Sequence, residues 1–211
     1  MRQIAPELWQ AETLSPFPGL TTNAYLWTTP EGNVLFYNTT LAAEFDRMAE
    51  LGGVAHQYLS HRDEIASSLA TVRDRFGARL HVHKADAGEV TQTAVDDPFD
   101  SRHVAFAGLE VIPTPGHTVG SASYLATISG KRYLFTGDTL VLGENGWWAG
   151  YLEGHSDRET LLASLDVLAE LTPDVVVSSA FMGESGVTEL GDRPWADCVD
   201  EARRALVGNA G

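Results

Sequence analysis

An α/β fold, two sheets covered by helices, follows from two features of the sequence. Apolar residues recur at helical spacing in several long stretches, and between these lie short runs of branched and aromatic residues bounded by Gly and Pro. The two kinds of run interleave through both halves of the chain, which selects α/β over an all-helical or all-strand class. No internal repeat, low-complexity tract or linker interrupts the 211 residues, so a single domain over 1–211 is expected.

In order, IAPELWQ, NAYLWT and NVLFYN read as antiparallel strands, with Pro30-Glu31-Gly32 as a hairpin turn. LAAEFDRMAELG carries Leu41, Phe45, Met48 and Leu51 as a helical stripe stopped by Gly52-Gly53. VAHQYLS is a buried strand, and EIASSLATVRDRFG a second helix with Ile65, Leu69, Val72 and Phe76 on one face and Gly77 at its end. RLHVH is the next strand, and the polar stretch Lys84 to Ser101 reads as loop. HVAFAGLEVIPTP, SASYLATI and KRYLFTG follow as strands, the last two joined at Ser129-Gly130. Leu142 to Ser156, rich in Gly and Trp, reads as loop; DRETLLASLDVLAEL is a helix, PDVVVSS a buried strand, and a closing helix begins near Pro194.

The chain holds 14 Lys and Arg against 29 Asp and Glu, a net charge of -15. That balance argues against nucleic acid as a partner, since phosphates require clustered cations. No run approaches the roughly eighteen apolar residues of a membrane span. MRQIAPELWQ lacks the basic and apolar regions of a secretory signal, so a soluble, cytoplasmic protein is expected. The single Cys198, in WADCVDEARRAL, reads as a small apolar residue on the buried face of the closing helix.

Residues able to do chemistry gather where strands give way to loops: SHRDEI, PTPGHTVGS, FTGDTL and the Trp-rich stretch ending in GHSD. Each alone has a plain structural reading. Ser60 and Asp63 have capping-box spacing, His117 suits a solvated turn, and Asp138 suits a turn-forming carboxylate.

Their order is more telling. PTPGHTVGS, a strand, a hairpin turn, a second strand and then FTGDTL resembles the metallo-β-lactamase fold hydrolases, and NAYLW, Leu59 to Asp63 and SLDVLAELTPDVVV extend the resemblance over roughly the whole chain. It implies a four-layer αββα sandwich. In that family the loop reads His-x-His-x-Asp-His and serves two metals. Here it reads His61-Arg62-Asp63-Glu64-Ile65-Ala66, so Asp63 stands at the second His, and Ile65 and Ala66 replace two ligands of the second metal. Alkyl groups cannot coordinate. Ala180 or Phe181 stands where another second-metal ligand belongs, and Tyr37 where the family usually carries a supporting Asp.

By resemblance, the first metal's set remains: His61, His117 and the carboxylate of Asp138, with Asp63 as a further ligand or as the group that holds the attacking water. Two imidazoles and one carboxylate suit one divalent ion, Zn, Fe or Mn, or none if the loss has gone further. Three activities are compatible with that set. The first is hydrolysis of a small-molecule ester, thioester or related substrate, with Asp63 and His155 as catalytic groups and Trp147 and Trp148 beside the pocket. The others are a mononuclear iron sulfur-oxygenase of the persulfide dioxygenase kind and a binding protein without chemistry. His81 and His83 share a strand face and could pair on a metal, although a polar neighbour of the first loop is the simpler reading. His56 and His103 read as structural or exposed. The Trp-rich loop and closing helix offer apolar surface for a second copy, a homodimer.

Overall fold

The computed structural model describes residues 1–17, 20–181 and 185–208. One sheet has seven strands in the order Arg2–Ala5, Leu8–Gln10, Tyr25–Trp27, Val34–Phe36, His56–Tyr58, Arg79–His83 and Asp97–Phe99. Pairing is antiparallel as far as Val34–Phe36 and parallel beyond it. A second large sheet has six, His103–Val104, Glu110–Pro113, Ala122–Ile128, Lys131–Gly137, Val175–Ser178 and Val187–Glu189, antiparallel except where Lys131–Gly137 meets Val175–Ser178. The helices are α1 (Ala42–Glu50), α2 (Ser68–Phe76), α3 (Lys84–Ala87), α4 (Arg158–Ala169) and α5 (Trp195–Gly208).

Alternation along the strands sorts side chains into layers. Tyr25, Trp27, Val34 and Phe36 face the second sheet and meet Tyr124, Phe135 and Val177, with Phe36 stacked on Phe135 at 3.9 Å between ring centroids. The residues between them, Leu26 and Leu35, point the other way and pack with Phe45 and Met48 of α1 and Val72 of α2. Leu125, Leu134 and Val176 of the second sheet likewise turn outward onto Leu161 and Leu165 of α4 and Cys198 and Val199 of α5. Each Leu or Phe fully buried this way contributes about 1.5–3 kcal/mol. The product is the αββα sandwich that the resemblance implies, with Cys198 buried as expected.

Some elements differ from expectation. IAPELWQ forms parts of two strands around Pro6-Glu7. The second helix begins at Ser68 instead of near Glu64, because Arg62–Glu64 is a separate 3-10 turn and Ile65 is extended. The stretch 84–101 contains α3 and the edge strand Asp97–Phe99, whose Asp97 is held by Arg79 at 2.8 and 2.9 Å. The stretch 142–156 is not all loop: Leu140–Gly143 and Gly146–Ala149 form a hairpin. Its Trp147 is buried against Trp195 of α5, so the exposed Trp surface expected there is largely absent. No described helix is long and apolar enough to cross a membrane.

Candidate metal centre

His61, His117 and Asp138 follow the strands His56–Tyr58, Glu110–Pro113 and Lys131–Gly137, and the sandwich brings all three to one end. Nε2 of His61 lies 3.6 Å and Nε2 of His117 3.8 Å from Oδ2 of Asp138. The three groups lie within 4.8 Å of one another. Ligands about 2.0–2.2 Å from a common ion in a tetrahedron sit roughly 3.3–3.6 Å apart, so little movement is needed to close on a cation.

Each group is held at its far atom. His117 donates from Nδ1 to the Gly150 carbonyl at 2.6 Å, which leaves its buried Nε2 without a hydrogen-bond partner. His61 donates from Nδ1 to the Ser60 hydroxyl at 2.8 Å, and that hydroxyl donates to Oε1 of Glu64 at 2.6 Å. Oε2 of Glu64 accepts the Ser60 N–H at 2.8 Å. Both imidazoles are therefore set as Nδ1–H tautomers with Nε2 free, the arrangement a cation requires. Oδ1 of Asp138 accepts from the Ser179 hydroxyl and from the Ala180 N–H at 3.1 Å, which leaves Oδ2 for the site.

The loop carrying Asp138 is braced from beneath. The Tyr37 hydroxyl accepts the Gly137 N–H at 3.0 Å and donates to the Val177 carbonyl at 2.8 Å, so it supports the backbone instead of a ligand. Gly137 has φ 54°, and a Cβ there would lie 2.3 Å from the Ser60 hydroxyl oxygen. Only glycine meets both demands.

Charge follows from burial and neighbours. Burial pushes the His61 imidazole below its ordinary value. Burial acts the same way on His117, but Asp63, Asp138 and the Gly150 carbonyl outweigh it and raise its pKa. His117, with His61 and His155, holds Asp63 down to about 2. Burial raises Glu64 well above the carboxylate range, although the Ser60 donors act against it.

Asp63 stands beside the first group. Its Oδ2 is 3.9 Å from Nε2 of His61, 3.5 Å from Nε2 of His117 and 3.0 Å from Nε2 of His155, and it forms a second group with His117 and His155. His117 Nε2 belongs to both groups and can ligate only one ion. His155 reaches this place because the Ser156 hydroxyl donates to the His117 carbonyl at 2.9 Å and Asp157 N–H to Gly116 O at 2.8 Å. Next to these groups opens a cavity of about 770 Å³.

Other expectations fare differently. Neither Ser60 nor Asp63 caps a helix: no side chain caps the Arg62–Glu64 turn, and the Ser60 hydroxyl is taken by His61 and Glu64. Ile65 packs near Leu59 and Leu69, and Ala66 lines the cavity. His81 and His83 do not share a metal position: His81 pairs with His56 at 2.9 Å and stacks on Tyr58, while His83 accepts the Ala85 N–H at the start of α3. Sequence reasoning overlooked Ser60, Glu64 and Ser179 as supports. The four-residue spacing of Ser60 and Glu64 was the available signal, and helix capping was the competing interpretation.

The sequence profile of the Metallo-beta-lactamase superfamily matches residues 61–180. The hydroxyacylglutathione hydrolase of Acidiphilium cryptum (strain JF-5) is 29% identical over 171 residues, 78% of this chain, and the match covers 66% of that relative's length. The metallo-beta-lactamase from Pontibacter korlensis is similar in structure with a TM-score of 0.74 at 16% identity, over 99% of this chain and 98% of that one. TTHA1623, in a di-iron-bound form, gives 0.66 at 23% identity over 87% and 96%. The structural likenesses are likenesses of fold; with the profile match over more than half of its length, the chain belongs to the metallo-beta-lactamase superfamily.

Proposed function

We propose that the chain is a mononuclear metal-dependent hydrolase of a small ester, thioester or related acyl compound. One observation carries this reading: two buried imidazoles and a carboxylate are fixed through their far atoms, with Nε2, Nε2 and Oδ2 left facing one another beside an open cavity. His61, His117 and Asp138 would hold Zn, Fe or Mn. Such an ion lowers the pKa of water and polarises a carbonyl oxygen.

The chain's own residues supply the rest. Asp63, held as a carboxylate, accepts the proton released as the water oxygen bonds to the acyl carbon. His155, 3.0 Å from it and partly exposed, takes that proton on towards the leaving oxygen or sulfur as the scissile bond breaks. Ser60, Glu64 and Gly150 hold the imidazoles in orientation throughout, and Leu14 and Leu152 give the cavity apolar wall.

The test is hydrolysis of a panel of short acyl esters and thioesters by metal-replete protein, chelated protein and His117→Ala. The proposal expects turnover that chelation and the substitution abolish. Turnover insensitive to both would overturn it. No turnover of any compound by the metal-replete protein, together with a chelator that leaves thermal stability unchanged, would favour a binding protein without chemistry. The same three side chains also have the composition of an iron oxygenase site. Bound iron and oxygen uptake with a persulfide in an anaerobically prepared sample would select that reading.

A further inference from the structure

We propose that the acyl compound taken by this site carries no anionic group; it is an uncharged or cationic ester or thioester. The inference rests on the hydrolase reading and adds the charge of its substrate. The cavity is lined by three carboxyl side chains, Asp63, Glu64 and Asp138, and by no Lys or Arg among the described residues. Asn23, Asn38, Thr39, Thr40 and Ser179 are among its uncharged lining.

No Lys or Arg occurs between Arg2 and Arg47 or between Arg158 and Arg193, the two segments that carry these uncharged lining residues. The basic residues next to the site residues in sequence, Arg62 and Arg158, have partners elsewhere. Arg62 pairs with Glu89 at 3.2 Å, and Arg158 lies over the Tyr151 ring and donates to the Leu206 carbonyl at 2.7 Å.

One dication offset by Asp63 and Asp138 leaves no surplus positive charge. The positions that would bring a second are Ile65 and Ala66, and neither can coordinate. A carboxylate or phosphate on the substrate would enter a cavity without a counter-charge, in a chain whose net charge is -15. An acylglutathione, with two carboxylates on its peptide, is excluded on this ground even though the curated relative is named for one.

The experiment uses one acetyl group on three thiols: N-acetylcysteamine (uncharged), thiocholine (cationic) and 3-mercaptopropionate (anionic). kcat/KM is measured on metal-loaded full-length protein at low and high salt. In parallel, the free thiols are titrated into Co(II)-loaded protein and their binding read from the thiolate charge-transfer band, corrected for each thiol's own pKa. The uncharged and cationic compounds are expected to exceed the anionic one by at least about tenfold in both readouts, with the gap narrowing in salt. Thr40→Lys, on the cavity lining and outside the ligand set, should close most of that gap. Equal or tighter binding of 3-mercaptopropionate, or no binding of any of the three, overturns the inference whether or not a thioester is cleaved. Ranking of the thiols by charge with no thioester cleaved overturns the hydrolase reading alone.

Discussion

Ser60→Ala removes one hydroxyl that touches no cation and no substrate, and it tests how the site is held. In the folded chain that hydroxyl accepts from Nδ1 of His61 at 2.8 Å and donates to Oε1 of Glu64 at 2.6 Å. Without it, Nδ1 of His61 faces Oε1 of Glu64 at 3.5 Å, too far for a good hydrogen bond. Burying an unsatisfied donor and an under-satisfied carboxyl costs about 1–3 kcal/mol. In a chain of this size that is a fall in melting temperature of roughly 2–12 °C. The metal pays separately: loss of an outer support of a ligating imidazole weakens affinity about 10–100-fold, or roughly 1.4–2.7 kcal/mol. Zn affinity is read by competition with a chromogenic chelator, and stability by melting with and without metal. A variant that melts lower yet binds Zn within about threefold of the parent would show that the hydroxyl serves the fold and does not orient His61.

The ligating imidazoles must be neutral, and the pKa of His117 is raised by its acidic neighbours, so protons compete with metal above the ordinary imidazole value of about 6.5. Metal affinity should fall as pH is lowered through that range, and a flat profile from pH 8 to pH 5 would contradict it. Asp63, held down to about 2, adds no acid limb of its own at those pH values. Gly137→Ala puts a Cβ on a residue with φ 54° and 2.3 Å from the Ser60 oxygen, so melting should reveal a loss of about 1–3 kcal/mol with weakened metal binding. Trp147→Ala empties space against Trp195 and should cost about 3–5 kcal/mol while leaving metal affinity unchanged, since the ring belongs to the cluster between the second sheet and the helices α4 and α5.

How much of this was legible depended on whether a local pattern and a distant contact agreed. Val34 to Phe36 read as an antiparallel strand and Val175 to Val177 as a buried one, and both carry unbroken apolar runs because both faces are covered, one by the facing sheet and one by helices. The hairpin carrying Trp147 was hidden by its glycines, although Glu144-Asn145 between Gly143 and Gly146 is a short-turn signal. His61, His117 and Asp138 were visible only through the order of the loops that carry them. The contact of Asp63 with His155 was not, because it depends on Ser156 reaching the His117 carbonyl across the sandwich end. Glu64 looked like a helix-start acid, and only the folded chain shows it bound to Ser60 beneath His61.

Metal content weighs most on the account. Purified protein, offered Zn, Fe or Mn and freed of excess, should retain about one equivalent per chain by elemental analysis, and folded His61→Ala and His117→Ala should retain almost none. Two equivalents, or undetectable retention of all three metals by the parent protein, would contradict a single site built on those imidazoles.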